Sequence, residues 1–180
     1  MFSIKKMTVT ALFIAMGITL PLAFHMIPNA GIVFLPMHIP VLLCGMVCGL
    51  PYGLVCGILT PLLSSMITGM PPAAMLPSML CELSVYGLVT SLLMRYVPIS
   101  NKIGRIYTAL IGAMVSGRLF YGVMNALLFR AGNYSLQIWL GTALVSALPG
   151  ILIQIILIPA LVLALQRSGV LEPQLVTRPE

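Results

Sequence analysis

Long apolar segments, separated by short breaks rich in Pro, Gly or polar residues, fill almost the whole chain. Six segments can be drawn, at about 7–26, 33–50, 52–69, 76–96, 105–129 and 136–166. A helix needs roughly 20 mostly apolar residues to cross the hydrocarbon core of a bilayer, and each segment is close to or above that length. The pattern therefore predicts an all-α integral membrane protein of six transmembrane helices, with residues 1–180 forming a single membrane domain.

Composition supports this interpretation and excludes several classes of function. The 180 residues are 60% hydrophobic and 7% charged, with a mean hydropathy of +1.12, which is not the composition of a soluble domain. The net charge of +6 does not indicate nucleic-acid binding, because Lys and Arg are spread over loop ends. All four cysteines lie in apolar runs, where packing is expected rather than a disulfide or a metal site.

The basic residues predict the orientation of the helices. With six spans both termini lie on one side of the membrane. Of the Lys and Arg residues outside the membrane segments or at their ends, that side would hold all except Arg130. Such an excess marks the cytoplasmic side, so cytoplasmic N- and C-termini are expected, with Trp139 at the outer interface. The last segment is too long for a straight span. We expect Pro149 or Pro159 to kink it, or its start to lie along the membrane surface.

Small residues recur at spacings that let helices pack closely. A glycine stands at every fourth position from Gly45 to Gly57 in the stretch GMVCGLPYGLVCG, which predicts a tight hairpin of the second and third segments. Ala11 and Ala15 place a similar patch on one face of the first segment. This patch has two interpretations, which are packing inside the chain and contact with another membrane subunit.

Two charged side chains, Glu82 and Arg118, lie inside the hydrophobic segments, whereas the other ten are at the termini, in loops or at segment ends. An ionised group in a bilayer core costs roughly several kcal/mol, so it is usually kept where it faces a polar cavity or a partner. If the fourth and fifth segments are antiparallel neighbours, these two residues share a similar depth in the outer half of the membrane.

Each of the two charges belongs to a polar stripe, because spacings of three and four residues keep side chains on one helical face. The first stripe is Ser78, Glu82, Tyr86 and Thr90, and the second is Arg118, Tyr121 and Asn125. The sixth segment would add polar side chains from Thr142, Ser146 and Gln154, and the outer ends of the first two segments would add His25 and His38.

These stripes have two interpretations. In the first they line an outward-opening pocket for a small polar molecule, where Arg118 offers a planar fork of donors to a carboxylate or phosphate. Glu82 would then accept hydrogen bonds, while Tyr86 and Tyr121 supply stacking surface. In the second, Glu82 and Arg118 form a buried pair that only fixes helix register. His38 can either cap a loop or touch a ligand.

Several catalytic and nucleotide-binding motifs are missing from the sequence. It has no P-loop, no His-Glu-x-x-His, no Gly-x-Ser-x-Gly and no Asp. We therefore expect that the chain is not an enzyme and does not bind ATP through a P-loop. If the function requires energy, it would have to come from a partner or from an ion gradient. The second case describes a self-sufficient small ion-coupled transporter, in which Glu82 carries the proton.

Three stretches of the chain carry a family resemblance: KKMTVTALFIAM, LPMHIPVLLCGMVCGLPYGLVCGILTPLLSSMITGMPP and MLCELSVYGLVTSLL. They resemble the substrate-binding S components of energy-coupling factor (ECF) vitamin transporters, most specifically from Leu35 to Leu93. The resemblance implies a high-affinity subunit that binds a water-soluble vitamin or precursor in a prokaryotic plasma membrane. Its implied partners are a transmembrane T subunit and two cytoplasmic ATPase subunits. These partners use the ATP, and no cofactor or metal is implied for this chain.

The resemblance also implies roles for individual residues. Ala11 and Ala15 correspond to the small-residue motif that docks on the T subunit. The implied substrate-binding residues are Glu82, Arg118, Tyr86, Tyr121, Asn125 and His38, with Met70 to Ala73 in the loop after the third span. Arg118 favours an anionic vitamin, with pantothenate as the first choice. Glu82 and the two tyrosines would also suit a pyridoxine-like or benzimidazole-type ring.

Overall fold

The computed structural model describes residues 3–24, 30–129 and 134–168, which contain helices and no strand. The α-helices are α1 (Ile4–Ala23), α2 (Ala30–Phe34), α3 (His38–Cys48), α4 (Leu50–Thr68), α5 (Leu76–Tyr96), α6 (Lys102–Met124), α7 (Leu136–Leu140) and α8 (Leu148–Arg167). Two π-helical turns follow α6 and α7, at Asn125–Phe129 and Gly141–Val145. The expectation of an all-helical protein is confirmed.

Five of the described helices are long and apolar enough to cross a membrane. They are α1, α4, α5, α6 together with its π-helical turn, and α8. The first four coincide with the predicted first, third, fourth and fifth segments, and α8 occupies the second half of the sixth. Their outward faces are apolar, as lipid contact requires, for example at Leu119 of α6 and Ile156 of α8. The chain is therefore a multi-pass membrane protein.

The predicted second segment, 33–50, differs in structure from the single helix that the pattern indicated. It divides into α2 and α3, because Leu35 adopts a left-handed φ of 50° and the next residue is Pro36. Proline disfavours helical geometry in the residue before it and has no N–H of its own to donate. The His38 N–H closes the break by donating to Leu35 O at 3.1 Å. His38 is thereby placed at the first residue of α3.

The short helix α3 forms the centre of the fold, since all of its residues from His38 to Cys48 are buried. It packs against α1, α4, α5 and α8. Apart from His38, the helix is apolar on all sides, as is typical of an enclosed helix. The sequence therefore shows no polar face that would mark where the helix begins and ends. The functional consequence is that the first residue of α3 lies inside the helical bundle.

The predicted sixth segment, 136–166, is also interrupted. Helix α7 and its π-helical turn end before Ser146 and Ala147, and α8 begins at Leu148. Pro149 stands in the first turn of α8, where the missing N–H leaves no intrahelical bond unmade. The expected disturbance near Pro149 is thus a break between two helices, whereas Pro159 lies inside the continuous helix α8.

Glycines bring α3, α4 and α5 into backbone contact. A Cβ built at Gly53 would lie 2.6 Å from Gly87 O and 2.8 Å from Gly45 Cα, distances that no real side chain could occupy. The predicted close approach of the second and third segments is therefore confirmed, and α5 joins it through Gly87. The turn between α3 and α4 is the single residue Gly49, whose φ of 93° suits glycine.

Candidate functional site

The two charges inside the membrane segments lie against each other. Arg118 Nη1 is 3.2 Å from Glu82 Oε1, and the two residues are 8% and 3% exposed. Helices α5 and α6 are joined by the short connection 97–101 and pack along each other. The second turn of α5 therefore meets the end of α6. The expected common depth of Glu82 and Arg118 is confirmed.

His38 and Tyr86 complete a four-residue group that we call the polar cluster, consisting of Glu82, Arg118, His38 and Tyr86. His38 Nε2 lies 3.6 Å from Glu82 Oε2, on the side of the carboxylate away from Arg118. The His38 and Tyr86 rings meet edge to face with their centroids 5.2 Å apart. Tyr86 interacts electrostatically with both Glu82 and Arg118. One carboxylate thus stands between two nitrogen-bearing side chains from different helices.

The two stripes also meet where α5 begins and α6 ends. Ser78 Oγ donates to Asn125 Oδ1 at 2.9 Å, and Asn125 Nδ2 donates to Tyr121 O at 2.8 Å. Asn125 is buried and begins a π-helical turn, a distortion that is frequent at functional sites. Tyr121 is half-buried. These bonds fix the Asn125 side chain and join the polar stripes of the two helices at Ser78, one turn before Glu82 on α5.

Trp139 supports the backbone beneath Arg118, a contact that the sequence pattern did not indicate. Its indole Nε1 donates to Arg118 O at 3.1 Å. The same ring covers Gly122, where any Cβ would overlap it. Trp139 was expected at the membrane interface as an amphipathic ring. It is half-buried against Gly122 of α6, and its position relative to the membrane stays a prediction.

Several nitrogen atoms of the polar cluster are buried without a hydrogen-bond partner among the described residues. They are Nε and Nη2 of Arg118 and both ring nitrogens of His38. His38 Nε2 and Glu82 Oε1 take part in the ion pairs described above but make no hydrogen bond within the described part of the chain. Most buried polar groups in proteins are hydrogen-bonded, and those that are not call for an explanation such as a ligand. The cluster can therefore accept and donate hydrogen bonds to a polar molecule inside the bundle.

Not every polar residue singled out in the sequence belongs to this cluster. Thr142 and Ser146 are exposed, and Thr142 Oγ1 donates back to Ile138 O in its own turn, so the expectation for these two residues was wrong. Thr90 Oγ1 donates to Tyr86 O, a hydrogen bond within α5. Gln154 is buried on α8, and its Nε2 has no partner among the described residues.

The loop after α4 is held by its own helix. Ser64 Oγ donates to Met70 O at 2.7 Å, and Ser65 Oγ donates to Pro71 O at 2.8 Å. Pro72 and Ala73 are exposed. His25, expected near the outer ends of the first two segments, lies outside the described residues, as does Arg130.

The small residues of α1 lie on the surface of the chain. Ala11 and Ala15 are exposed, on the side of α1 opposite to Phe13 and Gly17, which pack into the bundle. Leu12 and Met16 share the exposed face. Of the two interpretations of the patch, packing against the described part of the chain is therefore excluded for these residues.

In the part of the chain that the structure covers, no group of three or more His, Cys, Asp or Glu side chains could hold a metal ion. Cys44, Cys48 and Cys56 are buried and reduced near the α3–α4 turn. Cys44 Sγ makes long contacts to Thr10 Oγ1 at 3.7 Å and Tyr52 O at 3.6 Å. The cysteines thus pack between α1, α3 and α4, as expected.

Comparison with known proteins places the geometry in context. A family model described as "ECF transporter, substrate-specific component" matches residues 5–162, which include all of the polar cluster and the exposed face of α1. A search of the curated proteins and a search of the solved structures each found no match.

Proposed function

Because this chain belongs to the substrate-specific components of ECF transporters, we propose that its polar cluster binds the imported substrate. The family consists of substrate-binding transport proteins, and the site within this member is our assignment. Glu82, Arg118, His38 and Tyr86 would contact the substrate directly, and Tyr121 and Asn125 would border it at the outer end of α6. The proposed substrate is a water-soluble vitamin or precursor, with pantothenate as the first candidate.

The observation that carries this proposal is the set of buried nitrogen atoms in Arg118 and His38 that make no hydrogen bond among the described residues. A buried ion pair that only fixed helix register would be expected to use its donors internally, because each unmet buried donor costs about 1–3 kcal/mol. Here Glu82 pairs with Nη1 of Arg118. Nε and Nη2 make no hydrogen bond among the described residues and would donate to a ligand. Burial also lowers the competition from water, which strengthens polar contacts to a bound molecule.

We further propose that the remaining parts of the chain serve the transport complex. The exposed face of α1 around Ala11 and Ala15 would dock on a T subunit, and two cytoplasmic ATPases would drive import. With the α2–α3 pair counted as one short crossing, residues 1–180 form a single membrane domain of six spans with cytoplasmic termini in a prokaryotic cell membrane. Reporter fusions at the two ends, active only in the cytoplasm, test this orientation.

The direct test of the substrate site is to purify the chain and identify released small molecules by mass spectrometry, followed by titration with pantothenate and pyridoxine. Replacing Arg118 by Ala should abolish ligand binding while the protein stays folded and extractable in detergent. Normal binding by Arg118→Ala would show that the site lies elsewhere. Uptake by the purified chain alone, driven by a pH gradient, would instead support an ion-coupled transporter.

A further inference from the structure

One edge of the Arg118 guanidinium is fixed, and the opposite edge, which we call the open edge, makes no hydrogen bond among the described residues. Nη1 points to Glu82 Oε1, whereas Nε and Nη2 are buried and make no hydrogen bond among the described residues. Tyr86 interacts electrostatically with the same guanidinium. Nε–H and Nη2–H lie on the same edge of the planar group and point in parallel. Trp139 holds the backbone of the same residue through Arg118 O. The open edge therefore has a defined direction, set by one contact at the side chain and one at the backbone.

Arg105, on the same helix, shows what this edge does when the chain itself uses it. Its Nε and Nη2 both donate to Ile99 O, at 3.1 and 2.6 Å, and Arg105 is as buried as Arg118. The edge of Arg105 thus closes a turn, and its function is structural. No backbone carbonyl of the described residues accepts a hydrogen bond from the same edge of Arg118.

Two parallel N–H donors match the two oxygens of a planar carboxylate, which is the usual bidentate partner of arginine. A phosphate could approach the same edge, but Glu82 stands 3.2 Å from the adjacent Nη1. The Glu82–Arg118 pair is already neutral, so a ligand's charge is not compensated by the pair as a whole. Since charges interact strongly away from water, a dianion would be repelled by Glu82 about twice as strongly as a monoanion.

From this geometry we infer that the imported substrate carries one carboxylate, bound side-on to Nε and Nη2 of Arg118. The same substrate also carries a hydroxyl or N–H group that donates to Glu82. This inference rests on the proposed substrate site and adds the chemical class of its ligand. Phosphorylated forms of the same compound, and vitamins without a carboxylate, are poor ligands.

The test uses pairs of vitamins that differ only at the acid group: pantothenate and pantothenol, nicotinate and nicotinamide, biotin and biotin amide. Pyridoxine, thiamine and 4′-phosphopantothenate complete the panel. Affinity for the purified full-length chain is measured by calorimetry, with the fluorescence of Trp139, its single tryptophan, as a second signal. For the pair that binds, the uncharged member loses two charge-assisted hydrogen bonds, so its affinity should be lower by about 100-fold or more.

An Arg118→Lys variant separates the fork from its charge, because an ammonium cannot offer two parallel donors. We expect this variant to reduce the preference for the carboxylate at least about 10-fold, and a Lys102→Arg control at the exposed start of α6 to leave it unchanged. Tight binding of an uncharged or phosphorylated vitamin by the unaltered chain overturns the inference and leaves the proposed function standing. Equal affinity for both members of a bound pair does the same. Failure of every panel member to bind contradicts the proposed function itself, and with it the inference.

Discussion

At the scale of single residues, the Glu82–Arg118 pair has a structural and a binding role that can be separated by measurement. Two buried opposite charges stabilise each other only modestly, but removal of one partner leaves the other uncompensated, at a cost of about 3–5 kcal/mol. The 3.2 Å contact and the burial of both residues make Glu82–Arg118 a buried ion pair of this kind. Its stability contribution should therefore be strongly non-additive.

We predict that Glu82→Gln and Arg118→Gln each lower the apparent melting temperature, and that the double variant is destabilised by less than the sum of the two. The reason is that the double variant leaves no unpaired charge in the bundle. Thermal unfolding in one detergent, without ligand, measures this. Additive losses would mean that the two side chains do not interact in the folded protein.

Gly117 determines the position of Tyr86. A Cβ at residue 117 would overlap the Tyr86 ring on its Cδ1 and Cε1 side, and that ring also contacts His38. Gly117→Ala should therefore displace the ring and weaken substrate binding at least about 10-fold, since overpacking typically costs about 1–3 kcal/mol. The matched control is Gly141→Ala, which meets nothing within 4 Å. Isothermal titration measures the substrate affinity of both variants. Equal affinities would show that the position of the Tyr86 ring does not affect binding.

At the scale of helices, the bundle depends on the backbone contact between α4 and α5. A Cβ on Gly87 would collide with the carbonyl group of Gly53, and a backbone atom cannot move aside as a flexible side chain can. We predict that Gly87→Ala lowers the melting temperature and the yield of monodisperse protein. Gly31→Ala, where the added carbon meets nothing within 4 Å, should change neither quantity. A normal melting temperature for Gly87→Ala would show that the helices can separate without loss.

Helical spacing in the sequence predicted which residues share a face, but not every partner of that face. Ser78, Glu82 and Tyr86 are buried together as their four-residue spacing indicated, and the charge pattern correctly joined Glu82 to Arg118. The contact of Trp139 with Arg118 O was not predictable, because a backbone carbonyl leaves no trace in the sequence. Thr142 and Ser146 were misjudged because spacing gives a face and not its direction.

Helix breaks were predicted less well than helix faces. The end of the first helix and the loop after Gly69 carry clear Gly and Pro signals, and the structure has breaks there. The division between α2 and α3 depends on a left-handed Leu35, a residue type that rarely adopts this conformation. In an apolar segment the only signal of that break was Pro36, and proline alone also occurs inside continuous membrane helices, as Pro61 and Pro159 do here.

At the scale of the whole molecule, the exposed face of α1 and the polar cluster lie on different parts of the chain, so docking and binding should respond to different mutations. Ala11 and Ala15 are exposed on α1, whereas the residues of the cluster are buried on α3, α5 and α6. Small residues on a membrane helix permit close approach of another helix, and a larger side chain there prevents it. The proposed contact with a T subunit thus requires the absence of bulk at these two positions.

We predict that Ala11→Leu and Ala15→Leu keep substrate affinity within about two-fold but reduce recovery of the chain with co-expressed T and ATPase subunits. The control is Ala160→Leu, the same substitution on the exposed surface of α8. It adds the same apolar area to the lipid-facing surface, so a general effect on insertion would appear in all three variants. Affinity purification through a tag on the T subunit, with ligand titration of each variant alone, measures both properties. Full recovery of the α1 variants would place the docking surface on another helix. Loss of both recovery and ligand binding would instead indicate that α1 no longer packs correctly against α4, where Gly17 lies against Thr60.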